Sequence, residues 1–207
     1  MFLSRIELNT NDLEAKRALT SPQVIHAALE ACFEENAATG RLLWRIDRLY
    51  GKIYLLLFSA MPPNLTEMSN RLSPSSTGET KDYSGFLAQI QAGQSFRFRL
   101  KANPVHSVGS REYGVRGKIY GHVTIEQKRA WLVNKAKSCG FETNESLEIT
   151  EAGQVGFKKK SHRVSFSMAV YEGFLTVTDR ELFIKSLTQG IGRAKAYGFG
   201  LLTVAHI

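Results

Sequence analysis

Glu181-Leu-Phe-Ile-Lys-Ser-Leu-Thr-Gln-Gly-Ile-Gly-Arg-Ala-Lys-Ala-Tyr-Gly-Phe-Gly-Leu-Leu-Thr-Val-Ala-His-Ile207 closes the chain. Glu181 to Leu187 is helix-like, and an apolar, strand-like run follows Gly200. Between them Gly190, Gly192, Gly198 and Gly200 interleave with Arg193, Lys195 and Tyr197. A dinucleotide fingerprint, G-x-G-x-x-G, must follow a strand and open a helix. Here the loop follows a helix and leads into a strand, and the third position after Gly192 is Lys195. The P-loop pattern G-x-x-x-x-G-K-[ST] is absent as well. Glycine permits φ > 0 and close backbone approach. Successive backbone N–H groups can cradle an anion, and Arg and Lys supply charge for phosphate oxygens. The stretch reads as a polyphosphate-binding turn before a last strand, with a plain glycine-rich turn carrying solvated charges as the alternative.

Working back from that end, the pattern of strands and helices repeats in kind. Phe2 to Leu8 alternates like a strand. Ser21-Pro22 starts a helix, Ser as N-cap and Pro at the first helical position. Ile25, Ala28, Leu29, Cys32 and Phe33 recur at helical spacing. Leu42 to Asp47 and Ile53 to Ser59 form a strand pair across a turn at Leu49-Tyr50-Gly51, and Leu65 to Leu72 is a short helix. Ser73 to Thr80 has turn and linker composition. A second block starts at Phe96 with an alternating strand to Pro104, then a helix from Thr124 to Lys137. Strand candidates follow from Leu147 to Phe157 and from Arg163 to Val170, Tyr171 to Thr178 continues that sheet, and Asp179 begins a helix. The expected fold is α+β: two tandem ferredoxin-like (RRM-like) domains with antiparallel sheets, at residues 1–92 and 93–207.

Composition narrows the function classes. The 207 residues carry 27 basic and 19 acidic side chains, a net charge of +8, which fits a polyanionic partner such as nucleic acid. No apolar run reaches the roughly 18 residues of a spanning helix, and the N-terminus lacks a signal-peptide layout. Cys32 and Cys139 are isolated, so neither a disulfide framework nor a zinc site is expected. The expectation is a soluble cytoplasmic protein with no membrane partner, no cofactor and no metal.

Several clusters are candidates for chemistry. Arg97, Arg99 and Lys101 share one face of a strand whose other face is Phe96, Phe98 and Leu100. Lys158, Lys159, Lys160 and Arg163 lie at the tip of a strand pair, where basic side chains contact successive phosphates. Arg111, Arg116 and Lys118 form a glycine-spaced basic loop with Tyr113 and Tyr120, suited to gripping phosphates or stacking bases. No acidic cluster, H-E-x-x-H or C-x-x-C pattern points to metal-dependent phosphodiester chemistry. Of the histidines His26, His106, His122, His162 and His206, His26 stands out. It sits about 100° from Ile25 on the helical wheel, at the edge of an apolar face, where it can face a cleft.

These residues converge on one family. The chain resembles the CasE family of CRISPR-associated endoribonucleases, the crRNA-processing subunit of the type I-E Cascade complex. The resemblance lies in Phe2-Leu-Ser-Arg-Ile6, in Val24-Ile-His-Ala-Ala-Leu29, and in Arg41-Leu-Leu-Trp-Arg-Ile46. It continues in Phe96 to Val105, Ala130-Trp-Leu132, Tyr171 to Val177 and Gly190 to Leu202.

The resemblance implies tandem ferredoxin-like domains and metal-independent cleavage of repeat RNA at the 3′ base of its stem-loop. It implies a 2′,3′-cyclic phosphate (or 3′-phosphate) and a 5′-hydroxyl as products. It places the family histidine on His26 as general acid or general base. The implied partners are the repeat stem-loop, the retained mature crRNA and other Cascade subunits. Gly190, Gly192, Arg193 and Lys195 join Arg97, Arg99, Lys101, Arg111, Arg116, Lys158, Lys159, Lys160 and Arg163 as expected RNA contacts. One departure is Gln23, where members carry a tyrosine three residues before the histidine. Either the tyrosine is dispensable or another residue, Tyr197 or a lysine, serves. Two rival readings stay open: an RNA-hairpin-binding subunit without catalysis, and an enzyme acting on a small phosphorylated metabolite.

Overall fold

A computed structural model describes residues 1–34, 37, 40–109, 114, 117–159 and 162–207. By its contacts the chain divides into two units. One comprises Met1–Ile90, Thr188–Gly190 and Lys195–Leu201; the other comprises Gln91–Leu187, Ile191–Ala194 and Leu202–Ile207.

The first unit begins with β1 (Phe2–Glu7), α1 (Leu13–Thr20) and α2 (Pro22–Glu30). β2 (Leu43–Leu49), β3 (Lys52–Ser59), α3 (Leu65–Leu72), β4 (Glu79–Asp82) and α4 (Ser84–Gln89) follow. The sheet has the order β2-β3-β1-β4, every neighbouring pair antiparallel. Pro22 occupies the first turn of α2, where its missing N–H costs no hydrogen bond. Ser21 supplies the extended N-cap backbone, but its side chain makes no cap hydrogen bond. The β2–β3 turn needs φ > 0 at both central residues, and Tyr50 and Gly51 adopt φ 51° and 77°. The core gathers Ile6, Leu8, Ile25, Leu29, Cys32, Trp44, Leu55, Leu57, Met68 and Leu72. Burial pushes the Cys32 thiol up to about 11.

Two elements here lie outside the sequence reading. α1 buries only Ala15 and Ala18 and exposes Leu13, so its apolar face is too small to register as periodicity. β4 falls partly in the supposed linker. All of its residues are exposed, and backbone pairing with β1 holds it, with Ser4 bonded to Thr80 at 2.8 Å and Arg5 Nε donating to Glu79 at 2.6 Å. Ser73 and Ser75 donate to the Asp12 carboxylate at 2.7 and 2.8 Å. The Ser73 hydroxyl is the chief reason that this acid lies below its ordinary range.

The second unit opens with β5 (Ser95–Ala102), followed by the two-stranded ribbon β6 (Val105–Val108) and β7 (Lys118–Gly121). α5 (Ile125–Lys137), β8 (Phe141–Thr143), β9 (Glu148–Lys159), β10 (His162–Val177), α6 (Arg180–Gln189, whose last two residues group with the first unit) and β11 (Leu202–Ala205) complete it. The sheet order is β11-β5-β10-β8, with β9 also paired to β10. Thr124 and Gln127 close a capping box at the start of α5. Phe96, Phe98, Leu100, Leu132, Phe141, Tyr171, Leu175 and Phe183 are buried. If β8 and β9 are counted as one strand position, both units have their strands in the order 4-1-3-2 of a βαββαβ unit, the ferredoxin-like arrangement expected from the sequence.

Candidate active site

α2 directs Ile25, Ala28 and Leu29 into the core and leaves His26 at the edge, about a third exposed (31%). Glu30 stands four residues on, one turn along the same face. Its Oε1 lies 3.3 Å from His26 Nε2, while Nδ1 is buried with no hydrogen-bond partner. His26 and Glu30 border a cavity of about 820 Å³ whose other lining residues include Phe33, Glu34, Arg41, Gln189 and Ala196. Every one of these residues belongs to the first unit. Gln189 and Ala196 flank and enter the glycine-rich stretch, so this stretch and the histidine helix meet at one cavity.

The glycines of that stretch have an identifiable steric task. A Cβ on Gly190 would lie 2.7 Å from the Leu43 side chain, and one on Gly198 would lie 2.6 Å from the Trp44 ring. Both residues also have positive φ, 72° and 81°. Glycine is therefore required there for close approach to β2, whatever the stretch binds. We expect Gly198→Ala to lower stability by about 1–3 kcal/mol through overpacking and left-handed strain. Gly51→Ala, at φ 77° with nothing within 4 Å, should cost only about 1 kcal/mol. Urea unfolding midpoints of the two variants would check the difference.

A buried ion pair holds the end of the stretch. Arg45 Nε and Nη2 donate to the two Asp47 carboxylate oxygens at 2.8 and 2.7 Å, and Nη1 donates to the Leu201 carbonyl at 2.9 Å. The side chains are 2% and 5% exposed.

The other expected contacts fall elsewhere. On β5, Phe96, Phe98 and Leu100 are buried as expected, and Arg97 is exposed. Arg99 is ion-paired with Glu172 and lies 3.9 Å from Glu151, so carboxylates already match its charge. Lys101 is half-buried. In the second unit's part of the glycine stretch, Arg193 is exposed, and Gly192 passes 3.3 Å from the Trp131 ring by the position its Cβ would take. Lys195 opens a short 3₁₀ turn, Lys195–Tyr197, in the first unit. Lys158 and Lys159 pair in backbone register with Arg163 and His162, which makes the expected hairpin, while Lys160 lies outside the described residues. Arg111, Tyr113 and Arg116 also lie outside them; Lys118 and Tyr120 are exposed on β7.

His106 and His122 face each other at 4.9 Å between ring centroids. Burial first, then the charge of His106, holds His122 below the usual imidazole range. His206 packs on Phe96. Among the described residues His26 is the imidazole at the cavity. Sequence reasoning misses Glu30, Glu34 and Gln189, although a carboxylate four residues after a helical histidine is a legible signal.

A model of the family described as "CRISPR associated protein" matches residues 1–206. A curated relative, the CRISPR-associated endoribonuclease Cse3 of Thermus thermophilus, is 28% identical over 218 residues, covering 99% of this chain and 100% of the relative. The CRISPR system Cascade subunit CasE of Escherichia coli (strain K12) is 29% identical over 125 residues, 58% of this chain and 62% of that one. A solved structure of the CRISPR endoribonuclease Cse3 bound to a 19-nucleotide RNA superposes with a TM-score of 0.85 at 26% identity, covering 99% of this chain and 100% of the other.

Proposed function

Since the chain belongs to the CRISPR associated protein family, we propose that it is an endoribonuclease that cuts CRISPR repeat precursor RNA at the 3′ base of its stem-loop, without a metal ion. The observation that carries the reading is His26 at the rim of a cavity that the glycine-rich stretch also borders. The RNA supplies the nucleophile: its 2′-oxygen attacks the adjacent phosphorus and the 5′-oxygen leaves. The products are a 2′,3′-cyclic phosphate (or 3′-phosphate) and a 5′-hydroxyl. The protein aligns the three reacting centres, and His26 moves a proton, a role suited to an imidazole.

Cationic groups near the cut stabilise the charge gathering on phosphorus; Arg41 lines the cavity. Arg97, Lys101, Arg193, Lys195 and the Lys158–Arg163 hairpin are assigned to the RNA backbone. An A-form stem is read mainly through its shape and phosphates, and the net charge of +8 favours that contact. The name of the Cascade subunit CasE extends the reading to partners, the other Cascade subunits; in this reading the protein also keeps its product crRNA.

The test is incubation of the protein with a repeat hairpin from its host in EDTA. We expect a single cut leaving a 5′-hydroxyl, and cutting slower by about 10²–10⁴-fold in His26→Ala although it still binds the hairpin. Tight binding without cleavage by the wild-type protein would replace this reading with that of an RNA-binding subunit.

A further inference from the structure

The transesterification moves two protons, one off the 2′-oxygen and one onto the 5′-oxygen. The cavity offers one imidazole. A guanidinium and an amide do not accept protons, so Arg41 and Gln189 leave the carboxylates Glu30 and Glu34 as the remaining acceptors among the described lining residues. Glu30 is the one that touches the histidine, 3.3 Å from Nε2, and it is 62% exposed, so its side chain is open to an entering ligand. Nε2 is the ring nitrogen that meets this carboxylate, while Nδ1 is buried.

We propose that Glu30 is the general base that takes the 2′-hydroxyl proton, and that His26 is the general acid that protonates the departing 5′-oxygen. The O2′–H bond breaks as the O2′–P bond forms, and the proton passes to Glu30. The P–O5′ bond breaks, its electron pair goes to O5′, and the Nε2 proton follows. Two groups one helix turn apart thus serve the two ends of one phosphodiester, and the exposed Glu30 side chain turns away from Nε2 to admit it. This rests on the endoribonuclease reading above.

The experiment compares single-turnover cleavage by the full-length wild type, Glu30→Gln, Glu34→Gln and His26→Ala. Each acts on the repeat hairpin and on the same hairpin with sulfur replacing the bridging 5′-oxygen at the cut. A thiolate leaves without being protonated, so that substrate needs the base and not the acid. Glu30→Gln should be slower by about 10²–10⁴-fold with hairpin affinity kept. The sulfur substrate should restore His26→Ala towards the wild-type rate and leave Glu30→Gln slow.

Full activity in Glu30→Gln would overturn the proposal, with or without a loss in Glu34→Gln. So would rescue of Glu30→Gln by sulfur to the same extent as His26→Ala, which would make Glu30 a positioning residue for the histidine. A wild-type protein that leaves both hairpins whole removes the parent reading instead, and this assignment with it.

Discussion

A repeat hairpin with a single 2′-deoxyribose on the 5′ side of the cut is expected to bind with unchanged affinity and to remain intact. The missing oxygen is the nucleophile itself, so no rearrangement of the protein compensates for it. Loss of a general acid or base leaves a slowed reaction, commonly by about 10²–10⁴-fold. Loss of the attacking oxygen leaves none by this route. Binding should survive because the stem is held by its shape and phosphates, far outnumbering one hydroxyl. The same substitution one nucleotide away should cut normally. Gel analysis of end-labelled RNA, with affinity measured in parallel, decides the matter. Cleavage of the deoxy hairpin at the usual position would mean that water or a protein group attacks phosphorus, and the assignments to His26 and Glu30 would both fall.

The second large effect concerns stability. Arg45→Met should lower the unfolding free energy by about 3–5 kcal/mol, because it takes the bidentate guanidinium away from the buried Asp47 carboxylate. A domain of this kind holds only about 5–15 kcal/mol in total. The variant also removes the donor to the Leu201 carbonyl, freeing the end of the glycine-rich stretch. Replacing both charges, Arg45→Met with Asp47→Leu, should cost less than either single change, since neither charge of the pair remains. Urea denaturation of the single and double variants would test this. Equal losses in all three would show that the cost comes from packing volume and not from charge.

These two residues also show where the sequence is legible and where it is not. Phe96, Phe98 and Leu100 alternate cleanly with basic residues, so β5 and its inner face can be read directly. β2 carries the same period, but Arg45 and Asp47 break its polarity and resemble exposed positions until the fold buries them. α1 is illegible because alanines carry its packing face, and β4 because an edge strand can be held by backbone pairing alone. His26 is legible from its place on the helical wheel, and Pro22 fixes the helix that presents it. Glu30 escapes notice because an exposed carboxylate on a helix usually only meets solvent. The glycine-rich stretch reads as a phosphate binder, yet Gly190 and Gly198 answer first to Leu43 and Trp44, contacts made across most of the chain's length.

The division of that stretch has a consequence for anyone cloning the protein in pieces. Residues 188–190 and 195–201 group with the first unit, while 191–194 and 202–207 group with the second. An expression product stopped near Ile90 would lack the backbone that covers Trp44 and receives the Arg45 donor. It would emerge with a bared indole and a half-satisfied guanidinium, prone to clump and to lose the shape of its cavity. The recombinant halves are thus poor stand-ins for the whole, and domain-shuffling experiments need the tail grafted on to either piece.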